Sequence, residues 1–575
     1  MTHWCFVRAL VVAAGVLGGG GTAWAVPTDM PAKAGDGASA LVRGDLQQAL
    51  SSYSEALSDT ALSNDRRAAI LNDRGVVYIK LGQARQAIED FNAAAQFFPE
   101  YAPVYNNRGN LLLSLGLLKE AVKDFDRAIV LAPGYAAAYN NRAGALVRLG
   151  KVEDAIADYT KAIKLLPSNP APLSGRGRAH LALSRPHAAI RDFSRAVQAD
   201  ARFAPGYRNR AEAKLEVQHY DEAIEDLSRA IAFDVTQASS YVLRGQAYLT
   251  TRNTAAAIKD FSQAIDLDPK NAPAYAARGF AYGLAEAYDE AYGDLNKAIE
   301  LDPRWGTAFA YRAFVYKQNA QIDVALRDIE VAMKLSSDRA EVHWAKAEIE
   351  EAQGRPEIAV ADLKKALSLR PGYKEAEESL QRLGAGAVLT EETEVTGAGI
   401  DVWRVVLRGG RYFAVSDTFP RLSIPLEMMG AGEPQLLEWE LKEQPYKGIG
   451  VLRFLSGTVA AGSGREDIEL AAVVDLDANL VIAIEPHRQG DKTANWTWAD
   501  GKVTVASADG VTDEFSLRSV AQNVAAPYRG YNGEGGGAWA PWSDPWAGQT
   551  GAGQQPVKRA QVRRKPKTIF DLFFN

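Results

Sequence analysis

The chain has 575 residues, 47% hydrophobic and 24% charged, which is the balance of a folded protein rather than a disordered one. Its formal net charge of −6 gives no global attraction to nucleic acid or anionic lipid, and its one cysteine, Cys5, excludes a disulfide framework, a thiolate zinc site and a cysteine nucleophile in any later domain. Length alone suggests about four domains, a count that an internal repeat overturns.

Arg8 stands ahead of an apolar run from Ala9 to Leu17, and Ala23-Trp24-Ala25 supplies a small-x-small cleavage pattern. Residues 1–25 therefore read as a secretory signal peptide cut after Ala25, too short to span a bilayer. No later stretch reaches eighteen apolar residues in a row. The expected destination of the mature chain is the periplasm or the exterior, with no transmembrane segment.

Residues 104–110 read VYNNRGN, and 138–144 read AYNNRAG. The same Arg-small pair recurs without insertion from Arg74-Gly75 through Arg108-Gly109, Arg142-Ala143 and Arg176-Gly177 to Arg312-Ala313, ending as Lys346-Ala347. Alanine follows at fixed offsets (Ala87, Ala121, Ala155 and onward; Ala94, Ala128 and onward), and a large apolar residue such as Phe91, Phe125, Tyr159, Phe193 or Phe261 lies between them. Pro99, Pro133, Pro167, Pro269, Pro303 and Pro371 punctuate the unit ends.

A period of thirty-four with this punctuation resembles the tetratricopeptide repeat family, whose unit is a helix–turn–helix. The resemblance covers residues 68–373 as nine repeats in one register. A degenerate hairpin at 38–67 precedes them, and KEAEESLQRLG at 374–384 reads as a capping helix. The resemblance implies an α superhelical solenoid in which small residues at the eighth and twentieth positions let helices approach. Asp at the twenty-third position (Asp90, Asp124 and equivalents through Asp362) is expected to pair with the basic residue at the seventh, as scaffold rather than as ligand-binding site.

In this family the fifth, sixth, ninth, twelfth and thirteenth positions of the first helix face the concave side. Here they include Asn72, Asn106, Asn107, Asn110, Asn140, Asn141 and Asn209, interrupted at Gly175, then Arg148, Arg178 and Arg208, and later Tyr311 and Phe314. Primary amides donate and accept, so a row of them can hold the backbone of an extended peptide. On that reading, Ala at Asn107, Asn141 and Asn209 leaves stability nearly unchanged. The carboxylate-clamp pattern of chaperone-binding members is not met: Asn110 and Asn141 fit two positions, while Asn106, Ala171 and Gly175 stand where cations are needed.

After a Gly/Thr/Glu linker at 385–399, residues 400–520 alternate in the β pattern, with about nine short strands expected to form a small all-β sandwich or barrel. Its chemistry is sparse. His487 is its one histidine, Asp475-Leu476-Asp477-Ala478-Asn479 lacks the Gly and Glu of a calcium loop, and Glu466, Asp467 and Glu469 read as turn charges. Neither a metal site nor a cofactor is expected. Residues 521–575 form a Gly/Pro/Trp-rich, then basic and aromatic tail, with Arg563, Arg564, Phe570, Leu572 and Phe573 as docking candidates for a partner protein or a membrane surface.

The expected function is a non-enzymatic exported adaptor in envelope assembly or export. Its groove would hold a protein segment, with a second partner on the β domain or tail, and nucleic acid is not an expected ligand. The alternative is a glycan-active enzyme whose repeats recruit substrate to a carboxylate-bearing β domain.

Overall fold

The computed structural model describes residues 30–517, apart from 371, 386–392, 396–397, 401, 409–410, 420–421, 444, 462–463, 500 and 507–511. The expected signal peptide at 1–25, most of the linker and the tail, with Arg563, Arg564, Phe570, Leu572 and Phe573, lie outside the described residues.

A helical hairpin, Ala32–Arg43 and Leu46–Leu57, opens the array, its first helix starting ahead of the 38–67 segment. Helix pairs follow in register, from Asn64–Lys80 with Ala84–Phe97 to Ala340–Ala352 with Pro356–Leu369. The small eighth residue explains their spacing. A Cβ added at Gly75 would sit 2.6 Å from Phe91, and one at Gly109 2.7 Å from Phe125, so the ring of the second helix rests on the backbone of the first. Gly37 against Tyr53, at 2.9 Å, repeats the device in the opening hairpin. The aromatics are fully buried, and each unit packs against the next.

The turn inside each repeat needs one left-handed residue at the fifteenth position. Gly82, Gly116, Gly150 and Gly354 supply it, whereas Ser184, Gln218, Arg252, Glu286 and Ala320 adopt it with φ from 56° to 63°. The first helices of successive repeats pack on one another, which places them on the inner side of the superhelix.

The helix Lys374–Arg382 caps the array through buried Ala376 and Leu380. It also meets the turn of repeat six. Lys374 Nζ donates to the Thr250 carbonyl at 2.7 Å, and Arg252 pairs with Glu378 at 2.9 Å. The end of the array thus curls back on its middle.

The C-terminal region is all-β, in three antiparallel meanders. The first sheet holds β1 (Thr393–Glu394), β2 (Arg404–Arg408), β3 (Arg411–Val415) and β4 (Ser423–Pro425). The second holds β5 (Gln435–Leu441), β6 (Ile449–Ala461), β7 (Gly464–Asp475), β8 (Leu480–Gln489) and β9 (Lys492–Thr493), and the third β10 (Asn495–Ala499), β11 (Lys502–Ala506) and β12 (Thr512–Ser516). The five-stranded sheet is the middle layer. Leu452, Phe454, Leu470 and Ala472 face the first sheet, while Val451, Ala471 and Val473 face Val503 and Val505 of the third. Burial on both faces is why the stretch IELAAVV is nearly all apolar.

Candidate functional site

The inner face is held by a repeated arginine clamp. Arg108 Nε and Nη2 donate to both oxygens of Asp124 at 2.7 Å, and its Nη1 donates to Asn92 of the preceding repeat at 2.8 Å. The same three-way bond recurs from Arg142 (Asp158, Asp126) through Arg176 (Asp192, Thr160) and Arg278 (Asp294, Ser262) to Arg312 (Asp328, Asn296). One side chain therefore closes its own hairpin and ties it to the last. In repeat nine Lys346 reaches only one oxygen of Asp362, at 2.6 Å, and His343 takes the other at 2.9 Å. The expected structural pairing is what the molecule contains.

The amides form a ladder between first helices. Asn107 Nδ2 donates to Asn72 and Asn141 Nδ2 to Asn106, both at 2.9 Å, and Asn209 donates to Ser174 Oγ at 3.0 Å. Within repeats, Asn106 donates to Asn107 at 3.3 Å and Asn140 to Asn141 at 3.2 Å. Asn72, Asn106 and Asn209 are buried, while Asn107, Asn140 and Asn141 are half-buried. These are not loosely solvated groups: the amides staple neighbouring helices. Each half-buried one still keeps a donor and an acceptor site unused by the ladder. Asn110 Oδ1 is buried without a partner. Beneath the ladder's start, burial pushes the Asp73 carboxyl up to about 6, and a hydrogen bond from Asn72 opposes it.

Arg148, Arg178 and Arg208 occupy the thirteenth, ninth and fifth positions of repeats three, four and five, so they descend obliquely across adjoining helices. Arg148 is exposed, and its Nη1 donates to the Leu113 carbonyl at 2.8 Å. Arg178 is exposed and makes no hydrogen bond or ion pair among the described residues. Arg208 is half-buried, and burial, with Arg178 nearby, lowers its pKa.

The aromatic end of the expected groove is different. Phe280 stacks on Tyr311 with centroids 4.7 Å apart, and Phe314 lies 4.8 Å from Trp344. Phe314 is only 3% exposed, so it belongs to the core rather than to the groove surface; Tyr311 is half-buried. The first helices of repeats seven to nine pack closely there, and the rings fill the space between them.

The β region docks on the turn edge of repeats four and five. Glu427, fully buried, accepts from the backbone N–H of His187 at 2.8 Å and of Ala188 at 3.2 Å, with His187 Nδ1 also at 2.8 Å. It thereby caps the helix Pro186–Ala199, where the N-terminal donors and dipole favour a carboxylate. Against the cost of burial, His187 and Arg191 hold the Glu427 carboxyl below its ordinary pKa. His219 bonds the Val481 carbonyl at 3.0 Å, and Arg191 bonds the Ile484 carbonyl. Beside them burial pushes Glu485 up to about 8, and its Oε2 has no hydrogen-bond partner.

Family models of the tetratricopeptide repeat match residues 68–101, 105–170, 238–271 and 340–373, in the same thirty-four-residue frame as the clamps. The chain is a tetratricopeptide-repeat protein. Solved structures are similar to parts of it. A tetratricopeptide repeat protein from Parabacteroides merdae is 21% identical, covering 43% of this chain and 98% of its own, with a TM-score of 0.39. MamA is 27% identical over 28% of this chain and 95% of its own, with a TM-score of 0.27. YrrB, a tetratricopeptide repeat protein with an unusual peptide-binding site, is 24% identical over 33% of this chain and 98% of its own, with a TM-score of 0.28. No curated protein matches the chain. The repeats make it a protein–protein interaction scaffold.

In this tetratricopeptide-repeat protein the carboxylates singled out in the β region go to separate tasks. Glu469 is buried between Arg488, whose Nε donates at 2.7 Å, and Arg453, while Glu466 accepts from Gln489 at 3.3 Å. Asp475 Oδ1 accepts from the backbone of Asp477 at 3.1 Å and Ala478 at 2.9 Å, closing a turn. His487, its pKa lowered by burial, lies near Trp496. Among the described residues no three His, Cys, Asp or Glu side chains gather as a metal site, and no helix is long and apolar enough to cross a membrane. Sequence reasoning missed Glu427, Glu485, His187 and His219. The two glutamates stand in apolar stretches and the two histidines in polar repeat turns, and neither setting reveals a partner more than two hundred residues away.

Proposed function

We propose that this chain is an exported, non-enzymatic adaptor whose inner face holds an extended segment of a partner protein in envelope assembly or export. The leader pattern at residues 1–25 supports export, and the basic-aromatic tail supports a second docking element. The observation that carries the reading is the inner face of repeats two to five. There, half-buried amides keep unused donors and acceptors beside exposed arginines that, among the described residues, are unpaired or bound only to a helix end. An extended backbone needs such alternating donors and acceptors, and its side chains supply the charge.

Gly144 allows a direct test. It lies at the ninth position of repeat three, and a Cβ there meets only the Tyr159 hydroxyl, at 3.9 Å. Gly144→Trp fills the inner face without entering the core. The full chain is used to capture partners from its own envelope fraction. The variant should lose the captured protein while keeping its melting temperature, and capture that persists undiminished overturns the reading.

A further inference from the structure

The amide ladder follows a rule: a sixth-position donor reaches the fifth-position oxygen thirty-five residues earlier. Asn107 reaches Asn72, Asn141 reaches Asn106 and Asn209 reaches Ser174. One rung is missing. The donor for Asn140 would come from residue 175, which is glycine. The cause is Tyr159, whose ring occupies that space: a Cβ on Gly175 would lie 2.4 Å from its Cε1 and 2.9 Å from its hydroxyl. Most other repeats place Phe or Leu at this position, as in Phe125 and Phe193, resting on the eighth-position glycine of their own repeat. Here the tyrosine leans instead between Gly144 and Gly175, the inner-face positions where the side chain is absent.

The result is a polar notch. The Tyr159 side chain is 7% exposed, and its hydroxyl makes no hydrogen bond among the described residues. Arg178 lies one turn beyond Gly175 on the same helix, close enough to pull the tyrosine's pKa down against the burial that raises it to about 12. Arg148 adds a second exposed cation on the neighbouring helix, and the Asn140 carbonyl is left without its ladder donor. The seventh-position arginines are bound bidentately to aspartates, whereas Arg178 makes no hydrogen bond or ion pair among the described residues.

We infer that the missing rung is an anchoring site for an acidic side chain of an extended protein segment, resting on the groove reading proposed above. The carboxylate accepts from the Arg178 guanidinium and the Tyr159 hydroxyl, and the Asn140 carbonyl accepts a main-chain N–H of the same segment. Donors and an acceptor in one notch fit an acidic residue within a polypeptide. A phosphodiester could use the donors but has no N–H for the acceptor, which disfavours nucleic acid. The oblique line through Arg148, Arg178 and Arg208 sets the direction in which further acidic residues would lie.

The test is fluorescence anisotropy on the full chain with a labelled peptide of alternating Glu and Ser, its Gln/Ser counterpart, and labelled oligo-dT. The Glu/Ser peptide should bind at least about tenfold more tightly than the Gln/Ser one, as a charge-assisted hydrogen bond implies. R178A should reduce that binding by a similar factor, and Y159F, which keeps the ring on Gly175, by a few-fold. R85A, on an exposed second helix, should leave it unchanged. Equal loss with R85A and R178A would mean unspecific charge attraction and overturn the inference. So would oligo-dT binding as tight as the peptide's and equally sensitive to R178A and Y159F. If Gly144→Trp blocks the peptide but R178A and Y159F do not, the groove stands and the acidic anchor falls. If none of the three matters, both fall.

Discussion

At the scale of single residues, the seventh-position arginine shows how polar groups set register in an array whose apolar contacts are nearly identical from unit to unit. Two nitrogens bind the aspartate of the same repeat and the third reaches the preceding repeat, so a slipped unit would leave a part-buried charge unpaired. The amides act likewise. Asn107 both donates to Asn72 and accepts from Asn106, so Asn107→Ala should cost on the order of 1–2 kcal/mol in chemical denaturation. The open-face reading of the sequence implied a change within about 0.5 kcal/mol, and a result that small would mean water replaces both bonds. Ala320 offers the opposite case. It is exposed and holds φ at 56°, where a side chain is strained, so Ala320→Gly should raise stability by about 1 kcal/mol. An unchanged or lowered melting temperature would show that chain entropy outweighs the strain. The Arg–Asp pairing was legible because it recurs at fixed spacing. The amide-to-amide bonds were not, because spacing tells which face a residue occupies and not whether its neighbour on the next helix consumes it.

At the scale of elements, the helix Pro186–Ala199 has no side-chain cap of its own and takes one from the β region through Glu427. Two titrations with opposite signs act at this contact. Glu427 is held low by His187, so its contribution is present above its unfolded pKa and is lost as pH falls. Glu485 is raised to about 8 by burial, so its contribution is full below the unfolded value near 4.3 and is lost as pH rises through about 8. The groups facing it are Arg191, 3.7 Å from its Oε2, together with Asp513 and Glu427. Amide exchange at His187 and Ala188 should therefore accelerate relative to the rest of the helix between pH 7 and pH 9 in the natural chain. In E485Q it should not. Equal acceleration in both would show that Glu485 ionises without straining the contact. E427A should expose the same two amides at every pH. The strand pattern of the β region was readable from alternation, but its middle layer hid as an unbroken apolar run, and its dock was invisible because both halves look like ordinary core residues in their own segments.

At the scale of the whole molecule, the chain curls so that its capping helix meets the turn of repeat six, and the β region then settles on the edge of repeats four and five. The docked contacts run along the turns, and Arg148 and Arg178 on the inner face remain exposed. The solenoid was legible almost entirely from its period, since each repeat buries its own small residue and ring locally. The return of its end onto its middle was not, because that depends on accumulated superhelical rotation rather than on any one repeat. The most direct measurement of the central claim is site-specific photocrosslinking in the full chain, with the photoreactive residue placed in turn at 144, at 178 and at the outer positions 85 and 119. The account predicts adducts with one partner protein from 144 and 178 and none from 85 or 119. Adducts confined to 85 and 119, with 144 and 178 silent, would contradict it.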